Sequence, residues 1–79
     1  MTSPRRVTVL GSTGSVGVNT LDLIGRNPAA FQVEALVARR NVALLAAQAR
    51  AFRPRFVAVA DPACHADLKA ALAGTDIEI

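Results

Sequence analysis

The chain has one cysteine, Cys64, and one histidine, His65, among 79 residues. One cysteine excludes an internal disulfide, and a lone Cys–His neighbour pair falls short of the roughly four ligands that a zinc site needs. Sparse cysteine fits a reducing compartment. Tryptophan and tyrosine are absent and only three phenylalanines occur, which leaves few platforms on which bases could stack. The arginines are scattered rather than striped, so the composition disfavours nucleic acid as a partner. No apolar run approaches the roughly 20 residues of a membrane span. After Arg5-Arg6 only Val7-Thr8-Val9-Leu10 precede a glycine, too short an apolar core for a signal peptide. The expected setting is therefore the cytoplasm, with no membrane partner.

What remains is globular in character. Hydrophobic residues make up 52% of the chain, and sixteen alanines favour helix. The length allows one small domain, which would bury only about 60% of the surface its unfolded chain exposes. The net charge of +3 is unevenly spread. Residues 1–55 carry eight arginines against Asp22 and Glu34, whereas residues 56–79 carry Lys69 against Asp61, Asp67, Asp76 and Glu78. The first part is the one suited to meet an anion.

The order of local patterns is regular. Val7-Thr8-Val9-Leu10 is β-branched and apolar, and it reads as a buried strand. Gly11-Ser12-Thr13-Gly14-Ser15 is a turn. From Ser15 to Arg26 the pattern is helical, with Val16, Thr20 and Leu23 beside Val18, Leu21 and Ile24 on one side. Asn27-Pro28 stops that helix, because the residue before proline avoids the helical region. Residues 32–38 form a second strand. Asn41 can cap a helix over 42–52, which Arg53-Pro54 ends. Residues 56–59 form a third strand. Asp61-Pro62 starts a helix running to about Ala73 and closed by Gly74. Asp76 to Ile79 looks like the start of a fourth strand. This β-α-β-α-β-α-β alternation predicts an α/β domain with a parallel sheet and right-handed crossovers. In the usual doubly wound order the fourth strand would lie beside the first, at the switch point where ligands bind.

The glycine turn carries the first chemical signal. Gly11-x-x-Gly14-x-x-Gly17 lies between a strand and a helix, where Rossmann-like domains hold a dinucleotide. Gly11 allows the tight exit from the strand, Gly14 lets backbone approach a pyrophosphate, and Gly17 lets the helix pack closely on the sheet. The N–H groups near Gly14, Ser15 and Val16 and the helix N-terminus suit a phosphate, and the hydroxyls of Thr13 and Ser15 can add hydrogen bonds. The plainer reading is a β-α turn that uses glycine and caps its helix with Ser15. No Gly-Lys-Ser/Thr follows, so a P-loop is disfavoured.

The second signal is at the end of the second strand. NAD-binding folds place an acid there to hold the ribose hydroxyls. This chain has Ala38-Arg39-Arg40-Asn41 instead. Two guanidinium groups can pair with a 2′-phosphate, which argues for NADPH over NADH. The plainer reading is a pair of surface arginines beside a helix. Arg50, Arg53 and Arg55 read as a solvated face, His65 as an exposed helix start, and Asp22 as a surface residue.

The run Val9-Leu10-Gly11-Ser12-Thr13-Gly14-Ser15-Val16-Gly17, followed by Thr20-Leu21-Asp22-Leu23-Ile24, resembles the start of the 1-deoxy-D-xylulose 5-phosphate reductoisomerases. The resemblance continues through Asn27-Pro28-x-x-Phe31-x-Val33-x-Ala35-Leu36-Val37-Ala38 and Asn41-Val42, and it covers nearly the whole chain. It implies an NADPH-dependent oxidoreductase that converts 1-deoxy-D-xylulose 5-phosphate to 2-C-methyl-D-erythritol 4-phosphate in non-mevalonate isoprenoid biosynthesis. It further implies a divalent magnesium or manganese ion, a phosphorylated sugar substrate and a cytoplasmic homodimer. The family's cofactor contacts would map onto Thr13, Gly14, Ser15 and Val16 in the turn, and onto Arg39, Arg40 and Asn41 after the second strand.

The chain departs from the family pattern at Arg39, where glycine is frequent, and at Arg40, where lysine is frequent. The second change keeps the charge and alters the geometry. Residues 1–79 therefore read as the N-terminal part of an NADPH-binding Rossmann-like, doubly wound domain that stops at its fourth strand. Metal ligands, catalytic residues and a C-terminal domain are expected elsewhere, and the segment alone is expected to be inactive. Two alternatives stand beside this reading. One is the cofactor domain of another NADPH-dependent reductase or a semialdehyde dehydrogenase. The other is a non-enzymatic nucleotide-sensing module.

Overall fold

The structure, a computed structural model, describes residues 4–79. Three strands, β1 (Arg5–Leu10), β2 (Phe31–Ala38) and β3 (Phe56–Val59), form one parallel sheet in the order β1-β2-β3. Helix α1 (Ser15–Gly25) joins β1 to β2, and α2 (Val42–Phe52) joins β2 to β3. After β3 comes one 3₁₀ turn, Pro62–Cys64, and then α3 (His65–Ala71). Asp61 accepts the Ala63 N–H at 2.9 Å and so starts the turn that leads into α3.

Both crossovers step in the same direction across the sheet. Right-handed connections then place their helices on one face, and the packing agrees. Val9, Leu36 and Val57 stand in register across the three strands and share one core with Leu21 and Ile24 of α1, Leu45 and Ala49 of α2, Leu68 of α3 and Leu72 just after it. The sheet register shifts between Val7 and Thr8, whose partners are Val33 and Ala35. Glu34 is thus an extra residue in β2, and this bulge keeps both Val33 and Leu36 on the helix side although they are three residues apart.

The opposite face carries the register rows Thr8–Ala35–Phe56 and Leu10–Val37–Ala58. No helix among the described residues covers it. Leu10 is 76% exposed there, which corrects the expectation that β1 is buried throughout. The inward face of α1 also differs from the expected one. Gly17, Leu21 and Ile24 are buried, whereas Val16, Val18 and Leu23 are exposed. With apolar residues on both of its sides, α1 could not reveal by periodicity which side meets the sheet.

The last residues correct another expectation. Gly74 turns the chain at φ +85°, a conformation that glycine adopts without strain. The Val57 N–H then donates to the Glu78 carbonyl at 2.9 Å, and the Glu78 N–H donates to the Arg55 carbonyl at 3.1 Å. Glu78 therefore bridges Phe56 in parallel, beyond β3 rather than beside β1. The short α3 returns over the nearest strand, and reaching β1 would require crossing the whole sheet. The expected strand over 76–79 amounts to this single bridge.

Candidate cofactor site

All three strands are parallel, so the segments after Leu10, Ala38 and Val59 emerge at one edge of the sheet. The glycine turn, the Arg39–Asn41 segment and Asp61 meet at that carboxyl edge. Backbone hydrogen bonds connect them. The Gly11 and Ser12 N–H groups both donate to the Val37 carbonyl, at 2.8 and 3.0 Å. The Ala60 N–H donates to the Ala38 carbonyl at 2.8 Å, and the Asp61 N–H to the Arg39 carbonyl at 3.1 Å.

Each glycine of the turn has a separate reason to be there. Gly11 has φ +72°, a left-handed conformation that costs other residues roughly 1–2 kcal/mol. At Gly17 a Cβ would lie 2.2 Å from the Gly11 carbonyl oxygen and 2.7 Å from Ser12 Cα, so α1 reaches the turn only because that carbon is missing. Gly14 is different. Its φ is −77°, and a Cβ would meet only the Gly11 oxygen at an ordinary 3.5 Å. The fold does not require glycine at this position, so the space above it is available to a ligand.

Gly14 is also the N-cap of α1, and no side chain caps the helix. Ser15 is the first helical residue, which removes the reading of this turn as a serine-capped helix start. The N–H groups of Ser15, Val16 and Gly17 cannot be satisfied within the helix, and they meet no acceptor among the described residues. The Gly14 N–H is already bound to the Gly11 carbonyl at 3.1 Å. Thr13 is half-buried beside these donors, while Ser15 and Val16 are exposed. The result is a set of acceptor-free backbone donors at the positive end of the helix dipole, with Ser15 and Val16 exposed and Gly17 buried, and such a helix end suits an anion.

After β2, Asn41 accepts the Leu44 N–H at 3.2 Å and caps α2. Arg39 is exposed and makes no ion pair among the described residues. Arg40 is 74% exposed, and its Nε lies 3.1 Å from Asp61 Oδ2. The structure thus places Thr13, Gly14, Ser15 and Val16 on one bend of the carboxyl edge and Arg39, Arg40 and Asn41 on the next.

Two residues at this edge escape a reading of the sequence. Gln48 is buried in α2, and its Nε2 donates to the Ser12 carbonyl at 2.8 Å. Its spacing in an Ala- and Leu-rich helix marks only its burial, and no local pattern links it to a turn 36 residues earlier. Asp61 was legible as a helix-starting cap, but its pairing with Arg40 depends on strand order.

The remaining candidates have structural roles. Arg50 donates to the Ala71 carbonyl at 2.7 Å, Arg55 lies 3.8 Å from Glu34, and Asp22 pairs with Arg26 on the surface of α1. His65 is exposed at the start of α3. Among the described residues no group of three or more His, Cys, Asp or Glu could hold a metal ion, and no helix is long and apolar enough to cross a membrane.

Comparison with known proteins agrees with this geometry. Residues 7–79 match the family model described as 1-deoxy-D-xylulose 5-phosphate reductoisomerase. The enzyme of that name from Rhodospirillum centenum is 64% identical over 73 residues, covering 92% of this chain and 18% of the relative. The one from Rhodopseudomonas palustris is 60% identical over the same length and the same shares. The reductoisomerase of Zymomonas mobilis, solved in complex with NADPH, superposes with a TM-score of 0.93 at 52% identity, covering 99% of this chain and 21% of that one. A reductoisomerase solved with magnesium superposes at 0.90 with 32% identity, covering 96% of this chain and 19% of that one. This chain therefore spans about a fifth of the length of the relatives it matches.

Proposed function

Since the chain belongs to the 1-deoxy-D-xylulose 5-phosphate reductoisomerase family, we propose that residues 1–79 form the N-terminal part of its NADPH-binding domain. One observation carries the reading: the acceptor-free N–H groups of Ser15, Val16 and Gly17 share a sheet edge with a basic segment that has no acid of its own. The residues suit the cofactor. The turn amides would hold the pyrophosphate, with Gly14 leaving room for it and the Thr13 and Ser15 hydroxyls adding donors. Arg39 and Arg40 would pair with the 2′-phosphate, and Asn41 would present the adenosine side of the site while capping α2.

When bound, NADPH supplies the hydride for reduction. The contribution of this chain is to bind and orient the nucleotide. In the whole protein the activity would be conversion of 1-deoxy-D-xylulose 5-phosphate to 2-C-methyl-D-erythritol 4-phosphate in the cytoplasm, by a homodimer. The divalent metal that assists it would bind outside this segment, among whose described residues no group of three or more His, Cys, Asp or Glu could hold it. The family assignment favours this reading over a semialdehyde dehydrogenase, a different reductase or a nucleotide sensor.

The test is titration of the full-length protein with NADPH and with NADH, alongside an assay of NADPH oxidation that depends on the sugar phosphate. Preference for NADPH and substrate-dependent oxidation are expected. Equal affinity for the two nucleotides would overturn the cofactor assignment, and absence of oxidation would overturn the assigned reaction.

A further inference from the structure

Arg40 and Asp61 come from different loops, one after β2 and one after β3, and they meet only because those strands are neighbours. The contact is one-sided. Asp61 Oδ2 takes the Nε edge of the guanidinium at 3.1 Å. The two terminal nitrogens make no hydrogen bond or ion pair among the described residues. Those nitrogens form the fork that matches a phosphate. Asp61 is itself held at two points: its Oδ1 accepts the Ala63 N–H at 2.9 Å, and its own N–H donates to the Arg39 carbonyl at 3.1 Å. Its side chain is only 27% exposed, against 74% for Arg40. A half-buried carboxylate held at two points is therefore in contact with an exposed cation.

We infer that Asp61 is a positioning residue for recognition of the adenosine 2′-phosphate: it holds Arg40 by its Nε edge and turns the terminal fork toward the cofactor. The inference rests on the assignment of Arg40 to the 2′-phosphate. An arginine has many rotamers, and fixing it before binding removes an ordering cost from the association step. Its planar fork also makes the pairing directional in a way that lysine's point charge is not. Both carboxylate oxygens already have a partner, the Ala63 N–H and Arg40, and Asp61 stands one strand away from the usual place of the ribose-binding acid in NAD-dependent folds.

The experiment compares dissociation constants for NADPH and NADH in the full-length protein and in Asp61→Asn, Arg40→Ala and the double variant. Asparagine retains an oxygen for the Ala63 N–H. Asp61→Ser, which also caps well, serves as a second variant should Asp61→Asn fail to fold. Asp61→Asn is expected to weaken NADPH binding by roughly three- to tenfold, in the range of coupled charge pairs, and to leave NADH within about twofold. In the Arg40→Ala background the same change is expected to add no further loss. Unchanged or tighter NADPH binding in both Asp61 variants, with Arg40→Ala still damaging, would overturn the bracing role and leave the cofactor assignment standing. Parallel loss of NADPH and NADH would also overturn it, because that marks a merely structural residue. An Arg40→Ala variant with unaltered selectivity would overturn the assignment of Arg40 and the inference with it.

Discussion

The side-chain amide of Gln48 donates to the Ser12 carbonyl at 2.8 Å in a fully enclosed setting. It is the direct tie between α2 and the glycine turn. Ser12 is 0% exposed and Gln48 8% exposed. A turn whose Ser15, Val16 and Gly17 N–H groups have no acceptor among the described residues is supported from α2 by this contact. Gln48→Ala is expected to lower stability by roughly 1–3 kcal/mol through the unpaired Ser12 carbonyl and to weaken NADPH binding as the turn loosens. A denaturant midpoint and an NADPH affinity both equal to those of the parent would show that the turn holds its shape unaided.

The glycines at 14 and 17 are expected to fail in opposite ways. Gly17→Ala forces a Cβ into the Gly11 carbonyl, and overpacking of this kind costs roughly 1–3 kcal/mol or more. Gly14→Ala has an allowed backbone and ordinary contacts, so stability is expected to stay within about 0.5 kcal/mol. Its added methyl would stand where the pyrophosphate approaches, with a loss of affinity near tenfold, about 1.4 kcal/mol. Thermal melts and cofactor titrations on both variants separate the two effects. Tight NADPH binding by a well-folded Gly14→Ala would contradict the turn assignment.

Reversing the charge at Arg40 tests the second half of the site. Arg40→Glu would place a carboxylate beside Asp61 and, on the proposed assignment, near the 2′-phosphate. It is expected to lower NADPH affinity sharply while sparing NADH, so the selectivity ratio is the informative quantity. The NADPH affinity of the parent is also expected to fall more steeply with added salt than its NADH affinity, because exposed ion pairs are screened. A selectivity ratio untouched by Arg40→Glu would remove Arg40 from phosphate recognition.

Asn41 has a structural task separable from any cofactor contact. Asn41→Ala removes the acceptor for the Leu44 N–H and is expected to cost about 1 kcal/mol. Asn41→Ser keeps a capping oxygen and is expected to restore that stability. A cofactor affinity that stays low in Asn41→Ser, despite recovered stability, would show that the amide itself touches the nucleotide.

Much of the fold was legible because its signals are local. Asn27-Pro28 stops α1, Asn41 caps α2, Asp61-Pro62 opens the turn before α3, and each acts within a few residues of its own position. The three glycines were legible for the same reason. Other features were not. Glu34 bulges out of β2, and strand pattern does not announce an inserted residue. Val16 and Leu23 face outward because α1 has two apolar sides, and only the position of Gly17 against Gly11 decides between them. The residues around Glu78 join β3 because neighbouring strands compete for a partner, and that competition is settled in space. Gln48 and Asp61 belong to the same group, since each acts on a loop distant in sequence.

The hydrogen bonds from Gly11 and Ser12 to Val37, from Ala60 to Ala38 and from Asp61 to Arg39 link three consecutive bends into one continuous rim. Slack in any one bend is passed to its neighbours, so the glycine turn and the Arg39–Asn41 segment cannot drift independently. A nucleotide laid across this rim would act as a cross-brace, and the amides of Gly11, Ser12, Ala60 and Asp61 would then exchange with solvent as a group, slowing together when it binds.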